Sequence, residues 1–255
     1  MSPREHVEFL ATSPNRVTLL GLLYEEPRRP SALTDAGSFS RSTVHRNLDE
    51  FAERGWVRKN GQQYVLTTVG ERVLDCYESL LDAVEAVHDH RPLYASLDDA
   101  TLPFDAVQDG TVVTASAGNP HAPLSYYTGA LSDVDSGSFY AVTPIVSQVF
   151  NDASRRFVDS GTEIELVLDE TTLETSRTEF PDAFAVAQDA ENLTLYVADS
   201  VSVGLSIFEE RVFVGAYDGG RLRALLDGTN ESLREWALDR YETICEDASR
   251  VGARA

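Results

Sequence analysis

The sequence predicts an α/β chain in two parts, an N-terminal winged helix-turn-helix followed by a mixed-sheet α/β domain. Three observations predict it. Ser31 to Leu66 reads in order as a short helix, a Gly-containing turn, a longer helix and a two-stranded hairpin. Beyond Pro92, strand and helix patterns alternate, as in a substantially parallel sheet. The basic residues gather in the first part of an otherwise acidic chain. The expected division is residues 1–91, a DNA-binding domain with a dimerisation helix, and residues 92–255, a ligand-sensing or dimerising domain.

In chain order, two helices open the first part, about Pro3 to Ala11 and Pro14 to Tyr24, the second burying Val17, Leu20 and Leu23. Glu26-Pro27-Arg28-Arg29-Pro30 reads as a breaker. Ser40 is a good N-cap for the next long helix. Within it Val44, Leu48 and Phe51 form an apolar stripe. At about 100° per residue, Ser42, His45, Arg46 and Asp49 point the other way, with Arg41 beside them in the first turn. Apolar behind and Arg/Ser/His in front, entered through a tight turn, is the chemistry of a major-groove reader. Gly55 ends this helix. Trp56–Lys59 and Gln62–Val65 then flank Asn60-Gly61, a strong hairpin signal because both residues tolerate positive φ. Arg58, Lys59 and Gln63 lie near the tip. The expected DNA-binding residues are therefore Ser40, Arg41, Ser42, Thr43, His45, Arg46, Arg58, Lys59 and Gln63.

Thr68-Val69-Gly70-Glu71 reads as a capping box opening a helix to about His88. On it Val73, Tyr77, Leu80, Val84 and Val87 are spaced 4-3-4-3, the seam of a short coiled coil. Packing inside its own domain is the alternative. Arg91-Pro92 closes it. Expected strands follow at Thr111–Ala115, Phe139–Val142, Glu163–Leu168 and Leu193–Val197, with helices at Ile145–Ser160 and Thr171–Ala187. An antiparallel hairpin joins Val203–Phe208 to Val212–Tyr217 through Glu209-Glu210. A closing helix, about Glu231 to Arg250, buries Leu233, Trp236, Ala237, Ile244 and Ala248 with Tyr241 at its edge.

Charge sets the terms for any partner. The chain carries 42 acidic and 21 basic residues, net −21, and a single lysine, Lys59. From Arg28 to Leu66 there are seven basic and four acidic residues; from Pro92 onward there are ten basic and 28 acidic. The basic footprint is local. Acid-rich, lysine-poor composition resembles that of salt-in haloarchaeal proteins, where the Debye length shrinks to about 3 Å at 1 M. Counterion release loses force there, so base-edge contacts, shape and dimer geometry must carry more of DNA recognition. A cytoplasmic location is expected, since no signal peptide, transit peptide or long apolar run is present. Cys76 and Cys245 lack CxxC or Cys/His neighbours, so neither a disulfide framework nor a metal site is expected.

The order of features from Val142 onward resembles the sensor domain of the archaeal methanogenesis (filament) regulator group, attached there to a winged helix. The resemblance rests on Thr143-Pro144-Ile145, Val158-Asp159-Ser160-Gly161, Glu163–Leu168, Leu193–Val197, Gly204–Phe208, Trp236 and Tyr241. It covers about Thr111 to Val251. It implies a transcription regulator and transfers no ligand residue.

Catalysis is not expected: no G-x-S-x-G elbow, Walker A loop or H-E-x-x-H occurs. Gly118-Asn119-Pro120-His121 reads as a polar turn, with His121 at the surface, and Gly219-Gly220 as a turn closing the hairpin's second strand. Ligands of open α/β sheets sit beyond the carboxyl ends of strands. Those ends offer Ser116, Asn119, His121, Thr143, Ser147 and Asp169, with Asp199 further on, a set suited to a small polar metabolite. The same residues commonly cap helices and turns. The expected partners are thus double-stranded DNA at a pseudo-palindromic operator, a second copy of the chain and a small polar metabolite, with no membrane and no cofactor. Two other readings stay open: a second domain that only dimerises, and an enzyme with an appended winged helix used for protein contacts.

Overall fold

The computed structural model describes residues 2–37, 39–95, 97 and 102–251. The chain divides into two compact units, Met1–Glu85 and Ala86–Ala255. This division falls within a helix, upstream of Arg91-Pro92.

The first unit opens with α1 (Pro3–Ala11), α2 (Pro14–Glu25), α3 (Pro30–Gly37) and α4 (Arg41–Glu53). The hairpin strands β1 (Val57–Asn60) and β2 (Gln63–Leu66) and then α5 (Thr68–Asp89) follow. A single core holds it, built from Leu10, Leu19, Leu20, Leu33, Leu48 and Phe51 with Trp56 and Leu74. Full burial of each large apolar side chain contributes about 1.5–3 kcal/mol. Trp56 stacks on Phe51 and takes Phe9 edge-on. Gly55, at φ +74°, turns the chain out of α4, a conformation that costs glycine little.

The hairpin differs from expectation by one residue. Asn60 pairs with Gln63 and Lys59 with Tyr64, so the turn is Gly61-Gln62, not Asn60-Gly61. Gly61 supplies positive φ, at +62°. The Pro-flanked segment read as a breaker contributes a third strand position: Arg28 bridges Tyr64, with hydrogen bonds in both directions of 2.8 and 3.1 Å. The expected capping box at Thr68 also shifts. Thr67 is the cap, its hydroxyl accepting from the Gly70 amide at 3.1 Å and donating to the Gly55 carbonyl at 2.7 Å. On α5 the expected seam splits. Val73 and Tyr77 pack against the core of their own unit, while Leu80, Val84 and Val87 stay exposed, joined by Leu81.

The second unit comprises α6 (Arg91–Ala95), α7 (Phe104–Asp109), β3 (Thr111–Thr114), α8 (Ala122–Leu131), β4 (Ser138–Val142) and α9 (Gln148–Ser160). It continues with β5 (Glu163–Asp169), α10 (Glu170–Glu179), α11 (Pro181–Asp189), β6 (Leu193–Ala198) and β7 (Val203–Ile207). It ends with β8 (Val212–Asp218), β9 (Arg221–Gly228), α12 (Glu231–Glu246) and β10 (Ser249–Arg250). The strands make one mixed sheet in the order β10-β6-β5-β4-β7-β8-β9-β3. β4, β5 and β6 run parallel, and β7, β8 and β9 form an antiparallel meander.

Both faces of the sheet are covered. On one, Val142, Val167, Leu205, Val214 and Leu226 pack with Leu233, Ala237 and Tyr241 of α12 and Leu93 of α6. On the other, Phe139, Ile164, Phe208 and Phe213 pack with Tyr127 and Leu131 of α8 and Phe157 of α9. Two polar contacts fix registration. Tyr241 donates to Glu165 Oε2 at 2.6 Å. Asp227, 7% exposed, accepts two bonds from Arg211 and one from Tyr126.

Three expectations change here. The helix read over Thr171–Ala187 is two, because Phe180 leaves helical geometry (φ −129°, ψ 51°) and Pro181 opens the next. Pro is well placed at a first helical position and poorly within one. Gly219-Gly220 does not close a terminal strand: at φ +56° and +73° it turns β8 into β9, a pairing suited to a two-residue hairpin loop. The closing helix stops at Glu246, and Ser249–Arg250 pairs with β6. Among the described residues, no helix is long and apolar enough to cross a membrane.

α5 approaches the start of the wing where Gly70 sits. A Cβ there would lie 2.2 Å from the Trp56 carbonyl oxygen and 2.9 Å from Leu66 Cδ1. Gly70→Ala must therefore move backbone, and is expected to destabilise the first unit by about 1–3 kcal/mol. Chemical denaturation followed by Trp fluorescence measures it; an unchanged midpoint would disprove the close approach.

Candidate nucleic-acid interface and ligand cavity

α4 is set by its cap and its buried face. Ser40 Oγ accepts from the Thr43 amide at 3.1 Å and lies 2.9 and 2.8 Å from the Ser42 and Thr43 hydroxyls. Ser40 and Thr43 are thus occupied in starting the helix. Val44, Asn47, Leu48 and Phe51 are buried, while Arg41, Ser42, His45, Arg46 and Asp49 are exposed together. Arg58, Lys59 and Gln63 are exposed on the wing. Gln63 Nε2 also donates to the Pro27 carbonyl at 3.1 Å, tying the wing to the Arg28 strand.

Three cations of this unit are engaged in its interior contacts. Arg16 and Arg54 reach Glu50 at 3.8 Å, and Arg28 reaches Glu25 and Glu26 at 2.8 and 3.2 Å. Arg16 also donates to the Phe9 carbonyl and to Asn47 Oδ1, and the Arg16 and Arg54 guanidinium groups each lie 3.7 Å from the Phe9 ring centre. These three hold the fold. Arg41, Arg46, Arg58 and Lys59, by contrast, enter no ion pair among the described residues, and neither do exposed Arg4 and Arg29. Buried Asn47 and its partner Arg16 are positioning residues the sequence reading missed. A polar residue at helical spacing within the Val44–Phe51 stripe was the available signal.

The second unit contains a cavity of about 690 Å³, between the sheet face carrying Phe139, Leu166 and Leu195 and the helices α9, α10 and α11. Its floor depends on two glycines. Gly204 and Gly215 stand opposite each other on β7 and β8, and the Tyr217 ring occupies the space their side chains would fill. A Cβ at Gly204 would come 2.7 Å from Tyr217 Cε2, and one at Gly215 would come 3.0 Å from it. Tyr127 and Ser206 share a buried hydrogen bond of 2.8 Å on the same wall. Burial pushes the Tyr127 phenol up to about 12, with the Ser206 hydroxyl opposing the rise. Burial also raises Tyr217, its neighbour Tyr127 adding to the shift. Both phenols are neutral at physiological pH.

The expected ligand residues divide. Thr143 lines the cavity, its hydroxyl donating to the Ile145 carbonyl at 2.8 Å. Ser147 and Asp169 stand nearby as N-caps of α9 and α10, accepting from the Phe150 and Thr172 amides at 3.3 and 2.7 Å. Ser116, Asn119 and His121 are not brought to them. They follow β3, which β9, β8 and β7 separate from β4. There Ser116 accepts from the Asn119 amide at 3.1 Å, and His121 precedes α8 without capping it. The cavity's own polar groups, Asn151, Ser206 and Tyr217, were missed. Among the described residues no cluster of three or more His, Cys, Asp and Glu could hold a metal, and Cys76 and Cys245 are free thiols.

Residues 4–89 match the family model described as the HVO_A0261 N-terminal domain, and residues 120–247 match that of the methanogenesis regulatory protein FilR1, middle domain. No match was found among curated proteins. Among solved structures, TrmBL2, an archaeal chromatin protein with a novel mode of DNA binding, shares 17% identity over 98% of this chain and 100% of its own, at a TM-score of 0.43. Nuc, a phospholipase D family member from Salmonella typhimurium, shares 13% over 56% of this chain and 98% of its own, at 0.45. HmgR from Pseudomonas aeruginosa shares 17% over 92% and 96%, at 0.27. The FilR1 match spans half the chain, and the N-terminal match a further third. The chain therefore belongs to the FilR1 middle-domain family, as an archaeal-type winged-helix transcription regulator.

Proposed function

We propose that this protein binds double-stranded DNA sequence-specifically through α4 and the β1–β2 wing, and that a small molecule in the α/β cavity sets its DNA affinity. The carrying observation is the set of exposed, unpaired cations Arg41, Arg46, Arg58 and Lys59. In a chain with twice as many acids as bases, leaving four cations on two elements of one unit without internal partners costs attractive charge. That cost is repaid when phosphate or guanine edges meet them. The working domains are residues 1–91 and 92–255. Lysine-poor, acidic composition supports operation in the concentrated salt of a haloarchaeal cytoplasm.

Residues at the N-terminal end of such a helix make the base contacts. Arg46→Ala is expected to weaken specific binding by about 1–3 kcal/mol, the worth of a bidentate guanine contact. Folding should be intact, because Arg46 is exposed and holds no internal partner. Operator titration in concentrated potassium chloride tests it. Affinity equal to wild type would remove α4 from the reading role.

On the wing, Arg58 and Lys59 are expected to touch phosphate without reading sequence. Replacing both by Gln should weaken all DNA sequences by a similar factor and flatten the salt dependence. A shifted sequence preference at unchanged affinity would assign the wing to base readout instead.

A symmetric dimer on a pseudo-palindromic operator completes the proposal. Leu80, Leu81, Val84 and Val87 leave an apolar stripe on the second half of α5, and a second copy's α5 offers the same surface. Leu80→Asp with Val84→Asp should give a folded monomer with weakened operator binding. Sedimentation that still shows a dimer would move the contact off α5.

A further inference from the structure

The proposed sensing role leaves open what the cavity takes, and its lining narrows the answer. At about 690 Å³ the space is large for a simple metabolite and suits a molecule of drug-like size. Its walls are aromatic and aliphatic: Phe139, Phe150, Phe184 and Phe213 with Leu166 and Leu195.

Ionised groups stay at the rim. Arg155 is exposed and faces Asp159 at 3.8 Å, and exposed Asp152 is held by Gln148 at 2.7 Å. Glu179 and Asp182 are exposed as well. The other polar groups of the lining are hydroxyls and the amides of Gln148 and Asn151, all neutral. Thr143 is engaged with Ile145, and Tyr127 with Ser206. Asn151 on the first turn of α9 also lines the cavity, and its amide nitrogen is buried without a hydrogen-bond acceptor. A buried amide donor left unmatched is costly. An oxygen acceptor on an occupant would satisfy it after a small side-chain rotation.

An ionised ligand would shed its hydration shell among the aromatic walls, which low-dielectric interiors penalise heavily, while the cation of the lining, Arg155, is exposed and faces Asp159. A sugar would bring more hydroxyls than the walls can satisfy. We infer that the cavity binds a neutral, largely apolar ring compound carrying an oxygen acceptor that pairs with Asn151. This rests on the sensor reading above and places the compound outside the small polar metabolites that strand-end hydroxyls had favoured.

The test uses the full chain in concentrated potassium chloride, with N-phenyl-1-naphthylamine as a neutral fluorescent probe and 1-acetylnaphthalene as a carbonyl-bearing competitor. Saturable, blue-shifted probe emission is expected, displaced by 1-acetylnaphthalene and not by glucose 6-phosphate or citrate. Leu166→Trp fills the space from β5 and should weaken probe binding by about tenfold or more. Asn151→Leu keeps the volume and removes the amide. It should leave the probe's affinity unchanged while weakening 1-acetylnaphthalene by about threefold to tenfold, the worth of one neutral hydrogen bond.

Displacement by the phosphate or the carboxylate would overturn the ligand class. So would full-strength probe binding to a Leu166→Trp protein with native circular dichroism, which would place the probe on the surface. An equal response of both compounds to Asn151→Leu would overturn the anchoring role. These titrations contain no DNA. If the ring compound binds as described and operator affinity does not change, the coupling proposed above fails and the ligand class stands.

Discussion

Compensation of positive charge is the constraint on which the DNA-binding unit turns. With 21 basic residues against 42 acidic ones, a cation in this chain finds an internal partner easily. Those that do are structural. Arg16 and Arg54 sandwich Phe9 and share Glu50, so that α1, α2 and α4 are pinned through one ring and one carboxylate. Arg28 ties the end of α2 to the wing strand beside it. Each exposed ion pair contributes little alone, about 0–1 kcal/mol. The Arg16 set is stronger because it also satisfies the Phe9 carbonyl and buried Asn47. Arg4, Arg29, Arg41, Arg46, Arg58 and Lys59 of this unit enter no ion pair among the described residues, and four of these six lie on α4 and the wing.

In the second unit the governing fact is a sheet buried on both faces. Strands β5 and β7 alternate sides residue by residue. Val167 and Leu205 enter the core under α12, while Leu166 and Ser206 face α8 and α9. The α12 side closes completely around Leu233 and Ala237, both 0% exposed. The opposite side does not close. Opposed Gly204 and Gly215 admit the Tyr217 ring to its floor, and the Thr172 hydroxyl, donating to the Pro144 carbonyl at 3.0 Å, holds the β4–α9 connection against α10. Dense packing is the default of protein interiors, so an aromatic-walled space of this size implies that something other than stability set its residues.

Local signals were legible in the sequence and long-range ones were not. α4 showed its cap, its apolar stripe and its polar face because all three lie within one helix. The hairpin was visible, yet its register slipped by a residue: Asn60-Gly61 and Gly61-Gln62 both satisfy the turn chemistry, and only pairing with Arg28 and Tyr64 separates them. The Arg28 bridge was invisible because two residues between prolines carry no period. α8 was missed because Ala122–Leu131 is apolar on most sides and shows no stripe. β9 was missed because Gly219-Gly220 reads equally as an end or a turn. Thr143 was found through its place at a strand end, whereas Asn151 and Tyr217 reach the cavity through the packing of α9 and a β-bulge at Ala216/Tyr217, neither of which leaves a mark in the sequence.

The chemistry proposed for each site uses forces that survive concentrated salt, which links it to the acid-rich, lysine-poor composition. Screening weakens phosphate contacts and long-range steering, so few, closely placed cations with base-edge hydrogen bonds are a better use of charge than a broad basic surface. An ionic effector would face the same screening at the rim of the cavity and a desolvation penalty inside it. An apolar ring compound faces neither, and salting-out solutes strengthen the burial of apolar surface. A regulator with an acidic exterior can thus receive its signal through surface area and one hydrogen bond, and deliver it through a handful of arginines, without asking either site to compete with bulk electrolyte.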